Sequence, residues 1–368
     1  MRKISDIIRH NRLYAVLLVF IIGINLVAFM GWMAERAGEK AETTVTGVPV
    51  QDELAAGQQV RPAERTLFDS EDVNARRAKL EGLLRENPLL SIVLGVLNLM
   101  ALYVIFVGLI LDMYFLIRWL RKEPVRIRVV RQEKPRWSVA DVVRVAIIFV
   151  ACSYIFVILQ GSVTEIFPVL SSGNFRMVFN TAVMSVVGIS VILYFIVRKY
   201  GHGINAIGLS FRGFFRNLRY AFVGYVALIP ILFAIMLAIF FVTKWLGYHP
   251  PVQSIVTVFI EEKETSVLWF SALFVAVFGP VAEEIFFRGF MYTAVRKRWG
   301  VFRAMVGTSA VFSCLHTHVV GFFPIMALGL LLAYLYEKTG SLAASISVHI
   351  MHNVGMVILV FLVRCIGT

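Results

Sequence analysis

The sequence predicts an all-α fold: a polytopic transmembrane helical bundle of about nine spans, an eight-helix core preceded by an N-terminal anchor helix. Three observations lead there. Of the 368 residues, 59% are apolar and only 16% charged, with a mean hydropathy of +0.78, far above soluble proteins. The apolar residues fall in runs near the ~20 residues that a helix needs to cross a bilayer. Lysine and arginine collect in alternate loops, the charge asymmetry of a multi-pass membrane protein.

The first run, Tyr14–Met33, follows a basic segment, Arg2 to Arg12. It is longer than a signal-peptide core and no small-residue cleavage site follows, so residues 1–33 read as a cytoplasmic N-terminus and a retained anchor. Residues 34–88 form a hydrophilic extracytoplasmic loop rich in Glu, Gln, Arg, Thr and Gly, mostly disordered or loosely helical, in which Asp72–Glu86 has the pattern of an amphipathic surface helix. Residues 89–265 hold four runs, Leu89–Leu120, Val139–Leu159, Met177–Val197 and Tyr220–Leu246. Residues 266–368 hold the rest, Ser266–Tyr292, Phe302–Val320, Phe322–Tyr336 and Ser341–Val363, of which the middle two are marginal in length. Basic residues concentrate at 118–136, 198–219 and 296–303, whereas Gly161–Phe175 and Thr317–Gly321 carry almost none. The positive-inside rule therefore places the N-terminus in the cytoplasm and the C-terminus outside; the expected location is a prokaryotic inner membrane. One connector, Gly247–Pro251 leading through Val252–Ile260 to Glu261-Glu262-Lys263-Glu264, reads as a re-entry loop capped by charge rather than an interfacial helix.

A net charge of +13 raises nucleic acid as a partner. In a chain this apolar it is the signature of cytoplasmic loops, and no basic-aromatic platform accompanies it, so nucleic-acid binding is excluded and the bilayer is the expected partner. Cys152, Cys314 and Cys365 lie in apolar runs without zinc or disulfide spacing and read as packing residues.

Chemistry concentrates around Pro280-Val281-Ala282-Glu283-Glu284-Ile285-Phe286-Phe287-Arg288-Gly289, which continues an apolar helix. An ionised carboxylate at bilayer depth costs several kcal/mol unless a partner or a water-filled cavity receives it, and two adjacent ones repel. Glu284 and Arg288, four residues apart, meet on one helical face and can pair. Glu283 is rotated about 100° from Glu284 and faces a different neighbour, free for chemistry. The competing reading is a structural ion pair at a helix end, with Arg288 and Arg296-Lys297-Arg298 snorkelling to headgroups.

Two later runs carry Phe312-Ser313-Cys314-Leu315-His316 and His349-Ile350-Met351-His352-Asn353, with His349 and Asn353 stacked one turn apart. Glu283 lies 13 residues before Arg296, His316 lies 13 after Arg303, and His349 lies 8 after Ser341. At 1.5 Å per residue these positions sit roughly 20, 20 and 12 Å into their helices, so they can share one layer. A lone intramembrane histidine is more often an interhelical hydrogen-bonding residue, but three helices delivering Glu, His and His-Asn to one depth favour a site. A carboxylate beside an imidazole can deprotonate a water, and an Asn amide with an imidazole N–H can stabilise an oxyanion. Together they suit amide hydrolysis. No Asp supports a serine triad on Ser313, and the His-Glu-x-x-His pattern is absent. Glu283, His316 and His349 have the chemistry to ligate zinc but do not require it.

Glu283-Glu284-x-x-x-Arg288, Phe312-x-x-x-His316 and His349-x-x-x-Asn353, in that order on successive apolar helices, resemble the CPBP intramembrane protease family, which includes CAAX prenyl endopeptidases and bacteriocin-processing and immunity (Abi) proteins. The likeness covers about Trp269 to Val357 and extends to Phe287-Arg288-Gly289 and Lys338-Thr339-Gly340-Ser341-Leu342. It implies an endopeptidase, glutamate- or metal-dependent, in which Glu283 is the base and His316 helps activate water. Glu284 and Arg288 would hold the site together, and His349 and Asn353 would stabilise the oxyanion. The implied substrate is a membrane-delivered peptide or protein, prenylated or leader-bearing. His318 and His352 depart from the pattern and read as cavity-lining or packing residues. Two other readings compete: a non-enzymatic scaffold or immunity protein of the same fold, and an ion-coupled transporter. The intact triple motif argues against the first. The lack of matching Gly/Pro-broken helices in two halves argues against the second.

Overall fold

Every regular element among the described residues is helical. The computed structural model describes residues 12–45, 78, 80–82, 84–123, 135–163, 172–248, 250, 253–316 and 319–367, and no strand occurs among them. In chain order the helices are α1 (Arg12–Val45), α2 (Pro88–Leu120), α3 (Val139–Val163), α4 (Gly173–Lys199), α5 (Phe214–Leu246), α6 (Ser254–Glu261), α7 (Thr265–Trp299), α8 (Val301–Cys314), α9 (Phe322–Thr339) and α10 (Leu342–Gly367). Eight of these are long and apolar enough to span a bilayer, and the shorter α8 is the ninth apolar helix. Each matches one run predicted from the sequence. The protein is therefore an integral membrane protein.

Two departures have local causes. The N-terminal helix does not stop near Met33 but continues to Val45, because Ala34, Glu35, Arg36, Ala37, Glu39, Lys40, Ala41 and Glu42 are strong helix formers beyond the apolar stretch. The connector read as a loop contains α6. Phe259 of this helix packs edge-on against Phe361 of α10, ring centroids 5.6 Å apart, within a cluster that includes Leu268, Ala272 and Val357. Eight residues are too few to be stable alone, so this packing sustains the helix. Of Asp72–Glu86, residues 78, 80–82 and 84–86 are helical; the remainder of that stretch lies outside the described residues.

The chain forms two compact units, residues 1–65 with 143–168, and residues 66–142 with 169–368. In the first, α1 meets α3 through a hydrogen bond from Asn25 Nδ2 to Tyr154 Oη at 2.8 Å, and Arg144 lies 5.7 Å over the Tyr14 ring. The second unit contains every candidate site residue named above that is described. Its core, Ala221 and Leu228 of α5, Leu328, Leu332 and Leu335 of α9, and Ala344 and Val348 of α10, sets three helices side by side and orients the α10 face carrying His349.

Small residues and prolines set how closely these helices approach. Pro230 lacks the N–H that would bond Val226 O in α5. Gly108 of α2 crosses there so closely that a Cβ would lie 2.5 Å from Val226 O and 2.6 Å from Pro230 Cγ. On the basic side, Asp141 caps the start of α3 by reaching back to Ser138: its Oδ2 accepts from both the N–H and the hydroxyl of Ser138 at 3.0 Å. Asp141 also takes Lys199 Nζ at 2.7 Å and the Tyr200 hydroxyl at 2.6 Å. Trp137, fully buried, donates to Phe290 O at 3.0 Å and stacks on the Phe290 ring. These contacts tie α7 to the segment preceding α3.

Candidate active site

The site is built on α7, and α7 is not a uniform α-helix. It widens to π geometry over Phe274–Phe278 and again over Ile285–Tyr292, on either side of Gly279–Glu284. Pro280 accounts for the first widening: a proline inside a helix has no N–H to give and crowds the preceding turn, and a π turn absorbs the mismatch. In the second, Thr293 Oγ1 donates to Gly289 O at 2.8 Å, and Gly289 lets the helix press on Ile207, whose Cβ would be 3.1 Å from any added Cβ.

Between the π turns stand the two glutamates. Glu284 is fully buried. Its Oε1 accepts Arg288 Nη1 at 2.6 Å and His349 Nδ1–H at 3.0 Å. Arg288, also buried, donates through Nη2 to Gly329 O of α9 at 3.2 Å and lies 4.6 Å over the Phe312 ring of α8. One guanidinium thus joins α7, α8 and α9, and Glu284 extends the network to α10. A charge pair this buried is tolerable when its partners are also hydrogen-bonded: Arg288 bonds through both terminal nitrogens and Glu284 through Oε1, while Glu284 Oε2 has no partner among the described residues.

Glu283 differs in kind. Its side chain is 37% exposed, and its Oε2 lies 3.7 Å from His349 Nε2, beyond direct hydrogen bonding. That oxygen is buried and has no partner among the described residues. The adjacent glutamates, expected to face different neighbours, instead address the two nitrogens of one imidazole. With Nδ1–H committed to Glu284, the Nε2 edge of His349 is aimed at Glu283.

Asn353, one turn beyond His349, donates through Nδ2 to Val275 O in the first π turn at 2.8 Å, leaving one amide hydrogen uncommitted. His316 is exposed at the end of α8, its Nδ1–H donating to Phe312 O at 2.8 Å, so Nε2 presents a lone pair. Among the described residues it reaches the network through Phe312, with ring centroids 4.8 Å apart; Phe312 in turn lies 5.7 Å from the His349 ring. The Ser313 hydroxyl donates to Phe322 O, binding the end of α8 to the start of α9.

Residues 265–355 match the family described as type II CAAX prenyl endopeptidase, Rce1-like. This segment is similar to the Rce1-like family. The same chain is similar to "Putative membrane peptidase YdiL" of Bacillus subtilis (strain 168), with 30% identity over 84 residues, 23% of this chain and 34% of that protein. The chain thus spans about a third of the length of that curated relative. No solved structure matches the chain.

Within the Rce1-like segment, the fold brings Glu283, Glu284, Arg288 and His349 into one hydrogen-bonded or near-contact group, with Asn353 on the neighbouring turn. His316 stands apart, bonded to its own helix. His352 faces α5, its Nδ1 3.4 Å from the Tyr225 hydroxyl; His318 lies outside the described residues. Three participants escaped sequence reasoning: Phe312 as the hub beneath Arg288, His316 and His349, and the carbonyls of Gly329 and Val275. The helical spacing of Phe312 before His316 was visible, but a carbonyl acceptor leaves no mark in a sequence.

Among the described residues no group of three or more His, Cys, Asp and Glu is gathered closely enough to hold a metal ion. The Nδ1–H bond to Glu284 leaves His349 Nε2 as the nitrogen that a metal would take.

Proposed function

We propose that this protein is an intramembrane endopeptidase that hydrolyses a peptide bond of a membrane-delivered substrate by a water activated at Glu283. The observation that carries the reading is the pair of glutamates on one imidazole: Glu284 fixes His349 through Nδ1, and the partly exposed Glu283 faces Nε2 across 3.7 Å with an oxygen that no other described residue uses. Glu284 and Arg288 are the scaffold of this arrangement. Glu283 is the group left open to water.

In this reading Glu283 takes a proton from water as the water oxygen attacks the scissile carbonyl carbon. A doubly protonated His349 would donate from both ring nitrogens, Nδ1–H to Glu284 and Nε2–H towards the site. The Nε2–H of His349 and the uncommitted amide hydrogen of Asn353 then donate to the developing oxyanion. As the intermediate collapses and the C–N bond breaks, Glu283 returns its proton to the leaving amine. His316 offers Nε2 as a further acceptor for ordering the water. Each positioned donor or acceptor is worth about 10²–10³ in rate.

The likeness of residues 265–355 to the Rce1-like family supports a prenylated C-terminal peptide as the first substrate to test, processed from a site opening to the cytoplasmic half of a prokaryotic inner membrane with the N-terminus inside. The test is cleavage by detergent-purified protein of a quenched fluorogenic peptide ending in farnesylcysteine plus three residues, beside its unprenylated twin, with and without a chelator. Wild type cleaves and Glu283→Gln does not. A Glu283→Gln protein that turns over at the wild-type rate refutes the reading. Cleavage of both peptides at equal rates removes prenyl recognition, and loss of activity on chelation assigns a metal role that the proton-transfer scheme lacks.

A further inference from the structure

We infer that Pro280 is a positioning residue: by withholding an N–H from the first π turn of α7 it leaves the Val275 carbonyl free to orient the Asn353 amide towards the site. The inference rests on the proteolytic reading above. It starts from a hydrogen-bond count. In an α-helix the carbonyl of Val275 would accept from the N–H of Gly279, four residues on. Here that N–H is given to Phe274 O instead, the longer bond of the π turn. In π geometry the donor for Val275 O would be residue 280, which is proline and has none. Neither register serves this carbonyl, and an unserved carbonyl inside a membrane helix costs several kcal/mol.

Asn353 Nδ2 fills the vacancy from α10 at 2.8 Å. The acceptor being a carbonyl, the side chain must present its NH₂ there, so the amide orientation is set. One of its two hydrogens points at Val275 O, and planarity then fixes the direction of the other. Asn353 lies one helical turn from His349 and on the same face. Its second hydrogen is thereby held by a backbone defect in the neighbouring helix rather than by its own rotamer preference. Pro280 itself is buried and three residues before Glu283, so one residue sets both the helical phase of the base and the acceptor for the amide. An alanine at this position would supply an N–H able to reach Val275 O or Ala276 O and would compete with Asn353.

The test is a double-mutant cycle of Pro280→Ala and Asn353→Ala on the farnesylated fluorogenic peptide, with Glu283→Gln as the chemical control and thermal unfolding in detergent as a second readout. Pro280→Ala is expected to lower kcat about 10-fold while KM stays within about 2-fold. In the Asn353→Ala background it should lower kcat less than about 2-fold further, since the group it positions has gone. Independent, multiplicative losses overturn the inference while leaving the proteolytic reading intact. A Pro280→Ala protein with wild-type kcat overturns it as well. Should Pro280→Ala not purify as a folded species, Asn353→Ala decides: loss of the Val275 cap should lower the unfolding temperature by a few °C, and an unchanged or raised value overturns the inference. A Glu283→Gln protein as active as wild type sinks the proteolytic reading, and the positioning role with it.

Discussion

Adjacent glutamates in one helix offer a sharp test, because their environments predict opposite phenotypes for the same isosteric change. Glu284→Gln removes a charge from a carboxylate whose side chain is 0% exposed and leaves Arg288, 1% exposed, without its counter-ion. Gly329 O and the face of Phe312 remain to Arg288, but neither carries a formal charge. Breaking one side of a buried pair costs about 3–5 kcal/mol. At about 2–4 °C per kcal/mol, unfolding should fall on the order of 10 °C. Glu283→Gln has no such consequence. Its carboxylate is 37% exposed and lies 3.7 Å from His349 without a direct hydrogen bond, so the expected change is under about 1 kcal/mol, a few °C at most. Activity reverses the contrast: Glu283→Gln should lose about 10²–10⁴ in kcat as a general base is removed while remaining fully folded. The assay is thermal unfolding of matched detergent preparations followed by peptide cleavage. Equal destabilisation by the two substitutions, or a Glu284→Gln protein as stable as wild type, would refute the division of labour.

Three further outcomes follow from particular contacts. Gly108→Val puts a branched side chain where even a Cβ would sit 2.5 Å from Val226 O; the α2–α5 crossing must open, at a cost of about 1–3 kcal/mol, read as a lowered unfolding temperature. For His316, whose Nδ1 is spent on Phe312 O, Gln places a polar atom near the free Nε2 position and Asn near Nδ1. His316→Gln should therefore keep more cleavage activity than His316→Asn, and the reverse order would deny a role to Nε2. Glu262, between α6 and α7, is held below its ordinary value of 4.5, first by the backbone N–H of Glu264, with Asn174 and the Lys263 N–H adding to it. A depressed carboxylate stabilises the fold above its unfolded value and loses that contribution as pH falls through the folded one. Unfolding temperature should drop as pH is lowered beneath about 4.5, and Glu262→Gln should flatten that drop; an unaltered pH profile would count against the contact.

Much of this molecule can be read directly from the chain. Nine apolar runs became nine apolar helices because lipid forbids unsatisfied backbone and leaves the helix as the one local solution. The Glu284–Arg288 pair follows from four-residue spacing alone, and the three ordered motifs marked the Rce1-like segment before any geometry was known. Local rules faltered where stability comes from elsewhere. Short α6 has too few residues to show a period and stands on Phe361 and the Glu262 contacts. The apolar run Phe302–Val320 stops being helix at Cys314, where the Ser313 hydroxyl is drawn to Phe322 O.

What the linear order determined, then, is which groups are present and which helix carries each, since periodicity and hydropathy act within one segment. Tertiary structure alone decided how they meet. Both glutamates converge on His349 although an ideal helix turns them about 100° apart, because an imidazole offers two nitrogens and α10 packs on α7 where Val357, Val360 and Phe361 meet Leu268, Ala272 and Val275. Arg288 finds Gly329 O on another helix, and Asn353 finds Val275 O because a π turn and a proline left that carbonyl unserved. Carbonyl oxygens occur at every residue and so encode nothing in sequence; only the packing of one helix on another selects which of them matters.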